Sequence, residues 1–236
     1  MKDTTKARGW IVVFLVVLLA PMVLLFVAPR PPGRELLREF AVGLGFAGMS
    51  LLGLQFLIPA RLPFLLKAFR LPKLNHFHHN LSLISLALIV AHMLLLVVNN
   101  PRLLRSLSSV SAARPTWLGI VALAAMGVVV WTSLWQGEVN LGYQPWRVIH
   151  TFLSVFAIVL AMLHIFDIGY YMSVLAHQVL WIILAIAWAV GVIVYFRRAN
   201  MSRAVNTVMG DLATMMANGG QEDAADRAQN GAPNAS

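Results

Sequence analysis

The chain has 236 residues, of which 59% are hydrophobic and 11% are charged, whereas a soluble domain averages about 25% charged residues. This composition excludes an ordinary water-soluble globule. The chain contains no cysteine, which excludes disulfides, thiolate-ligated iron–sulfur clusters, covalently attached c-type haem and a cysteine nucleophile. The net charge of +9 arises from basic residues between apolar runs, which favours contact with lipid headgroups over nucleic-acid binding.

Six predominantly apolar runs follow one another along the chain, each long enough to cross a bilayer as a helix. They are residues 10–27, 40–58, 81–98, 116–135, 148–166 and 174–196. The sequence therefore predicts an all-α membrane protein, a bundle of six transmembrane helices. The second run contains Gly43, Gly45, Gly48 and Gly53, which predicts close packing against a neighbouring helix.

The loops on alternate sides of these runs differ in their basic residues. One side collects twelve Lys and Arg residues, and the other side collects six. The positive-inside rule then predicts that both termini are cytoplasmic in a multi-pass protein of the cell inner membrane, and that the third and fifth spans both run outward. The first run could instead be a secretory signal, but its length and the lack of a small-residue cleavage site favour a retained span.

Two pairs of histidines stand out among the seven. His78 and His92 bracket most of the third span, His150 and His164 bracket the fifth, and both separations are fourteen residues. Fourteen residues of α-helix turn through about 1400°, close to four full turns, and rise about 21 Å. Each pair therefore lies on nearly one face of its helix. His79 is rotated about 140° from His92, so it is the poorer ligand candidate.

Because the two helices run in the same direction, we expect His78 to meet His150 at an inner level and His92 to meet His164 at an outer level. Two imidazoles facing each other in an apolar bundle are the ligands of a six-coordinate haem iron. Two alternatives remain open. The histidines could form interhelical hydrogen bonds, or they could bind a non-haem metal, although zinc and copper sites usually gather their ligands in one place.

The sequences around these histidines resemble a known family. Phe77-His78 with His92, and Tyr143-Gln144-Pro145-Trp146-Arg147-Val148-Ile149-His150 with His164, are similar to the third and fifth helices of the ferric reductase-like transmembrane domain superfamily. That superfamily includes ferric-chelate reductases, NADPH oxidases and the haem-binding subunit of bacterial methionine sulfoxide reductase systems. The resemblance covers roughly residues 10–198.

The resemblance implies two stacked b-type haems, or one in a variant, that carry electrons singly from a cytoplasmic donor to an outer acceptor. Its axial ligands would be His78, His92, His150 and His164. Larger members continue into a flavin and nicotinamide module, whereas no Gly-rich dinucleotide fingerprint is seen here. The expected donor is thus a separate cytoplasmic flavoprotein that supplies the flavin, or a membrane quinol.

The predicted organisation has four parts. Residues 1–9 form a cytoplasmic N-terminus, and residues 10–198 form the haem-binding transmembrane domain. Residues 199–217 contain a stripe of apolar side chains that predicts an amphipathic helix, and residues 218–236 have the composition of a disordered tail.

Several further residues are candidates for the site. Haem propionates are anions and require cations; the candidates are Arg70, Lys73 and Arg147 at the inner level and Arg102, Arg105 and Arg114 at the outer level. All six could equally be solvated loop charges. Trp131 and Trp181 are candidates for the haem faces. Asp167, Tyr170, Tyr171 and His177 are expected around an outer mouth, where an acceptor could bind.

No arrangement of side chains predicts catalysis by the protein itself, since no hydrolytic triad, phosphate loop or carboxylate pair is present. The chemistry would belong to the cofactor. A quinol-linked cytochrome b subunit is the alternative function, and a transporter or assembly protein without haem is the third. Spectroscopic detection of haem separates the third from the first two, and quinone-site inhibitors separate the second from the first.

Overall fold

The structure is a computed structural model. It describes residues 4–27, 35–60, 65–66, 69, 71–103, 114–138 and 142–230, with side chains described from residue 8 up to 198 in these ranges and at few positions beyond. The six long helices are α1 (Thr4–Val27), α2 (Leu36–Leu54), α3 (Leu71–Asn99), α4 (Arg114–Leu134), α5 (Tyr143–Asp167) and α6 (Leu175–Asn230). Short 3-10 helices follow α2 at Gln55–Leu57 and precede α6 at Tyr171–Ser173.

Each of the six helices contains a segment long and apolar enough to cross a membrane, which confirms the predicted six-helix bundle. Helix α3 begins earlier than predicted, at Leu71 and not near residue 81. The intervening turns contain polar residues such as Asn75 and His76, which lower the hydropathy without preventing a helix. Pro72 lies in the first turn, where proline is tolerated because its missing N–H has no helical partner. His78 is consequently inside the helix.

Helix α2 is the central helix of the bundle. Within the most apolar part of its membrane-spanning segment, 72% is buried inside the protein, whereas the corresponding share is 11–28% for the other five spans. A Cβ added at Gly48 would lie 2.6 Å from Ile89 Cγ1 of α3, and one added at Gly53 would overlap the Trp188 indole of α6. The predicted role of the glycines in close packing is confirmed, because Gly48 and Gly53 let α3 and α6 approach α2 closely.

The helices pack most closely in two sequential pairs, α2 with α3 and α4 with α5. In the first pair, the buried hydroxyl of Ser85 donates a hydrogen bond of 2.7 Å to the carbonyl oxygen of Gly48. Each pair thus contributes one helix that carries two of the candidate histidines. The fold places these histidines on uninterrupted helices, each packed against a neighbour that can hold the imidazole rings.

The chain divides into two compact units, Met1–Val192 and Ile193–Ser236. The second unit contains the segments predicted as an amphipathic helix and a disordered tail. Helix α6 extends to Asn230 and so includes much of both. The membrane-surface location of residues 199–217 and the disorder of residues 218–236 remain predictions, as does the orientation of the termini.

Candidate functional site

The inner pair of histidines is brought together across the α3–α5 interface. The ring centres of His78 and His150 are 6.3 Å apart, with 62° between the ring planes. Two imidazoles bound on opposite sides of one metal ion, with metal–nitrogen bonds of about 2 Å, have ring centres about 6 Å apart. The separation of these two rings therefore suits a shared metal.

The outer pair consists of His92 on α3 and His164 on α5, and each ring lies within hydrogen-bond distance of a backbone carbonyl. Nδ1 of His92 lies 2.8 Å from the carbonyl oxygen of Ala41, and Nδ1 of His164 lies 2.6 Å from that of Pro115. A carbonyl oxygen can only accept a hydrogen bond. Both Nδ1 atoms must therefore carry hydrogen, which leaves Nε2 of each neutral imidazole as the nitrogen with a free lone pair.

His150 also carries hydrogen on Nδ1, but the acceptor of that hydrogen is a hydroxyl group. Its Nδ1 lies 3.1 Å from Ser133 Oγ, and Ser133 Oγ donates its hydrogen to the carbonyl oxygen of Val129 at 2.7 Å. A hydroxyl has one hydrogen to donate, so Ser133 must accept from His150. The Trp146 ring packs on His150 with centres 5.1 Å apart and planes 38° apart, which restricts the imidazole further.

His78 differs from the other three. Its Nδ1 is buried and has no hydrogen-bond partner within the described ranges of the chain. The neighbouring Ser82 hydroxyl instead shares its one hydrogen between Gln55 Oε1 at 2.8 Å and the backbone oxygen of His78 at 2.9 Å. The inner level is therefore supported on the His150 side, with no equivalent support for the His78 ring.

These observations test whether the four residues suit a haem iron. The donor set consists of neutral imidazoles arranged as two pairs, and three of the rings have Nδ1 engaged as a donor so that Nε2 can bind metal. Within the described residues, no group of three or more His, Asp or Glu side chains could hold a metal ion. The arrangement fits two separate bis-histidine levels and does not form a compact zinc-type cluster.

The predicted propionate partners have varied surroundings. Lys73 is exposed in the first turn of α3, and Arg147 is partly buried one turn before His150 on α5. Arg114 forms an ion pair with Asp167, with Nε 3.1 Å from Oδ2, so it bridges the start of α4 and the end of α5 beside His164. Arg102 is exposed. Arg70 and Arg105 lie outside the described residues.

The other aromatic and histidine candidates are partly separated from the pairs. His76 and His79 are exposed, and Trp131 is 55% exposed and faces outward. Trp181 is fully buried and packs edge-on against Phe46, with ring centres 5.1 Å apart. The structure thus gives Trp181 a packing environment among aromatic rings.

The residues expected at an outer mouth are mostly enclosed. Tyr171 and His177 are buried, and Phe46 of α2 contacts both rings. Tyr171 Oη donates to Oε1 of Glu39 at 3.4 Å. Sequence reasoning missed Glu39, which is only 2% exposed. Its position next to an apolar run was the available signal, because a buried carboxyl group within a membrane span is costly and often functional.

Comparison with known proteins identifies a family for the chain. A family model described as the ferric reductase like transmembrane component matches residues 44–161, half of the chain. The matched range contains His78, His92 and His150 and ends three residues before His164. No curated protein and no solved structure matches the chain. The chain belongs to the family of ferric reductase-like transmembrane components.

Proposed function

We propose that the protein transfers electrons one at a time across the membrane through two b-type haems. His78 and His150 would ligate the inner haem, and His92 and His164 the outer haem. The observation that supports this most strongly is the hydrogen bonding of His92, His150 and His164. Each of these rings donates through Nδ1 within the protein, so that Nε2 is left for iron.

The separation of the two levels suits passage across a bilayer. The histidines of each pair are fourteen residues apart on a continuous helix, which corresponds to a rise of about 21 Å. The hydrocarbon core is about 30 Å thick, so ligands at these two levels would span most of it. When bound, haem iron supplies a one-electron couple whose potential depends on axial ligands and burial.

The chain's own residues hold the rings. Ala41, Pro115 and Ser133 accept the Nδ1 hydrogens and fix the ring orientations. Arg147, Lys73 and Arg70 would provide positive charge for inner propionates. Arg147 is the best placed of the described cations, because it lies within one turn of His150.

The direction of transfer follows from the predicted orientation. The loops on the side of both termini carry twelve of the eighteen basic residues, which supports a cytoplasmic location for that side in the inner membrane. The electron donor would then be a cytoplasmic flavoprotein partner that supplies the flavin, or a quinol. The acceptor would be a molecule on the outer side.

Transfer can be measured in vesicles with ferricyanide trapped inside and dithionite added outside. Vesicles containing the haem-loaded wild-type protein should bleach the trapped ferricyanide faster than protein-free vesicles. His92→Ala and His164→Ala should lower the rate to that of protein-free vesicles. His79→Ala is the matched control, because His79 is exposed beside His78, and it should keep the wild-type rate. Equal rates for all three variants and the wild type would contradict the proposal.

A further inference from the structure

Two glycines lie directly against the outer histidines. A Cβ added at Gly45 of α2 would lie 2.8 Å from Nδ1 of His92, and a Cβ added at Gly119 of α4 would lie 3.0 Å from Nδ1 and Cε1 of His164. Real Cβ atoms are essentially never closer than 3.0 Å to such neighbours. Any larger residue at position 45 would therefore displace the His92 ring. Any larger residue at position 119 would likewise force the His164 ring to shift.

In each helix, the carbonyl that accepts the hydrogen bond from the histidine belongs to the residue four positions before the glycine. Ala41 precedes Gly45, and Pro115 precedes Gly119. Residues four apart lie on one face of a helix, and every Cβ tilts toward the helix N-terminus. A Cβ at the glycine position would thus stand beside the carbonyl of the earlier residue. Its absence opens the second lone pair of that carbonyl, since the first already accepts the glycine N–H within the helix.

The same arrangement of glycine, carbonyl and histidine occurs in both helix pairs. Corresponding residues of the two pairs are separated by nearly the same number of positions in the sequence. Ala41 and Pro115 are 74 residues apart, as are Gly45 and Gly119, whereas His92 and His164 are 72 apart. Ser82 and Ser154 are also 72 apart, and each donates to the backbone oxygen of the inner histidine one turn earlier, at 2.9 and 2.6 Å. The α2–α3 and α4–α5 pairs are thus two copies of one structural arrangement.

From this repeated geometry we propose that Gly45 and Gly119 are positioning residues for the outer pair of haem ligands. They let a backbone carbonyl fix each imidazole with hydrogen on Nδ1 and hold Nε2 toward the space shared by His92 and His164. This inference rests on the proposed function for the identity of the metal group. The tautomer and orientation that it assigns to the two rings belong to the protein without haem as well.

The chain offers controls for both steric bulk and helix packing. Among the described residues, no atom lies within 4 Å of a Cβ added at Gly127, which is on α4 with Gly119. A Cβ at Gly48 would press on Ile89, on the same α2–α3 interface as Gly45 but away from the histidine. Gly127→Ala therefore tests the substitution itself, and Gly48→Ala tests disturbed packing without contact with the imidazole.

The first experiment compares haem content and the low-spin electron paramagnetic resonance spectrum of the four glycine-to-alanine variants. Gly45→Ala and Gly119→Ala should each lose one of the two low-spin signals and half of the haem. Gly127→Ala should keep both signals with unchanged g values, and Gly48→Ala should keep both signals although it disturbs the packing of α2 on α3. Two unaltered signals in Gly45→Ala and Gly119→Ala would overturn the positioning role while leaving the proposed function intact.

The second experiment separates the inference from the proposed function. Nitrogen NMR of the haem-free protein, labelled at histidine, reports the tautomer of each ring directly. In the wild-type protein His92 and His164 should carry hydrogen on Nδ1, and in Gly45→Ala the His92 signal should shift toward a mixture of tautomers. A tautomeric mixture for His92 in the wild type would overturn the positioning role. A wild-type protein that cannot be loaded with haem would contradict the proposed function, whereas the tautomers would still decide the role of the glycines.

Discussion

Nδ1 of His164 lies 2.6 Å from the carbonyl oxygen of Pro115, although the two residues are 49 positions apart in the chain. The bond joins the first turn of α4 to the last part of α5. The corresponding bond from His92 to Ala41 spans 51 positions and joins α3 to α2. In both helix pairs, the outer candidate ligand is therefore oriented by the backbone of the preceding helix and not by a side chain.

Substitution of Ser133 should weaken the inner site selectively. Ser133→Ala removes the acceptor of the His150 Nδ1 hydrogen, and the loss of such a partner typically lowers metal affinity about 10–100-fold. Titration of the haem-free protein with haem should show this loss for one of two sites.

The neighbouring residue Thr132 provides the control for this measurement. Its hydroxyl shares one hydrogen between the backbone oxygens of Val128 and Val129, and among the described residues it forms no hydrogen bond with a histidine. Thr132→Ala should keep both affinities. Equal affinities in the Ser133→Ala and Thr132→Ala variants would show that Ser133 does not support a haem ligand.

His177→Phe should stabilise the protein without changing its haem content. His177 is 1% exposed, and both ring nitrogens lack a hydrogen-bond partner within the described ranges. A buried polar group without a partner costs about 1–3 kcal/mol, and the Phe46 ring, which contacts both His177 and Trp181, can pack against phenylalanine. The midpoint of thermal unfolding should therefore increase.

The exposed His76 serves for comparison, since His76→Phe should leave the unfolding midpoint almost unchanged. A lower midpoint or a loss of haem in the His177→Phe variant would mean that the imidazole itself is needed. The interpretation of His177 as a residue of the outer site would then regain support.

Gly53→Ala should destabilise the bundle strongly. The new methyl group would overlap the buried Trp188 indole, and overpacking of a tight core typically costs about 1–3 kcal/mol. Unfolding in detergent should occur at a lower temperature than in the wild type. Gly127→Ala is the control, because the added methyl group meets open space there. Unchanged stability of the Gly53→Ala variant would show that α2 and α6 do not pack as described.

Arg114→Gln should have little effect on haem binding. The Arg114 side chain is 73% exposed and is paired with Asp167, and an exposed pair contributes about 0–1 kcal/mol. Haem titration should give wild-type affinities for both sites. A selective loss at one site would instead assign Arg114 to an outer propionate.

The fold was largely predictable because its signals are local. Long apolar runs identify the spans, and the identical fourteen-residue spacings place each histidine pair on one face of its helix. The start of α3 was misplaced because Asn75 and His76 reduce the apolar signal, although Pro72 marks the first turn.

The supporting contacts of the site were not predictable in the same way. The carbonyl groups of Ala41 and Pro115 carry no side-chain identity, and their partners lie 51 and 49 residues away. The glycines of α2 did predict close packing, but not that Gly45 faces a histidine. The burial of Glu39, Tyr171 and His177 likewise depends on how α2 and α6 approach each other, which periodicity does not determine.

The ratio of haem to protein in the detergent-purified chain, measured with its dithionite-reduced spectrum, tests the central claim most directly. Two bis-histidine levels predict a ratio near two with the absorption bands of low-spin b-type haem. A ratio near zero in protein from haem-replete cells would contradict the account. The four paired histidines would then be packing or transport residues.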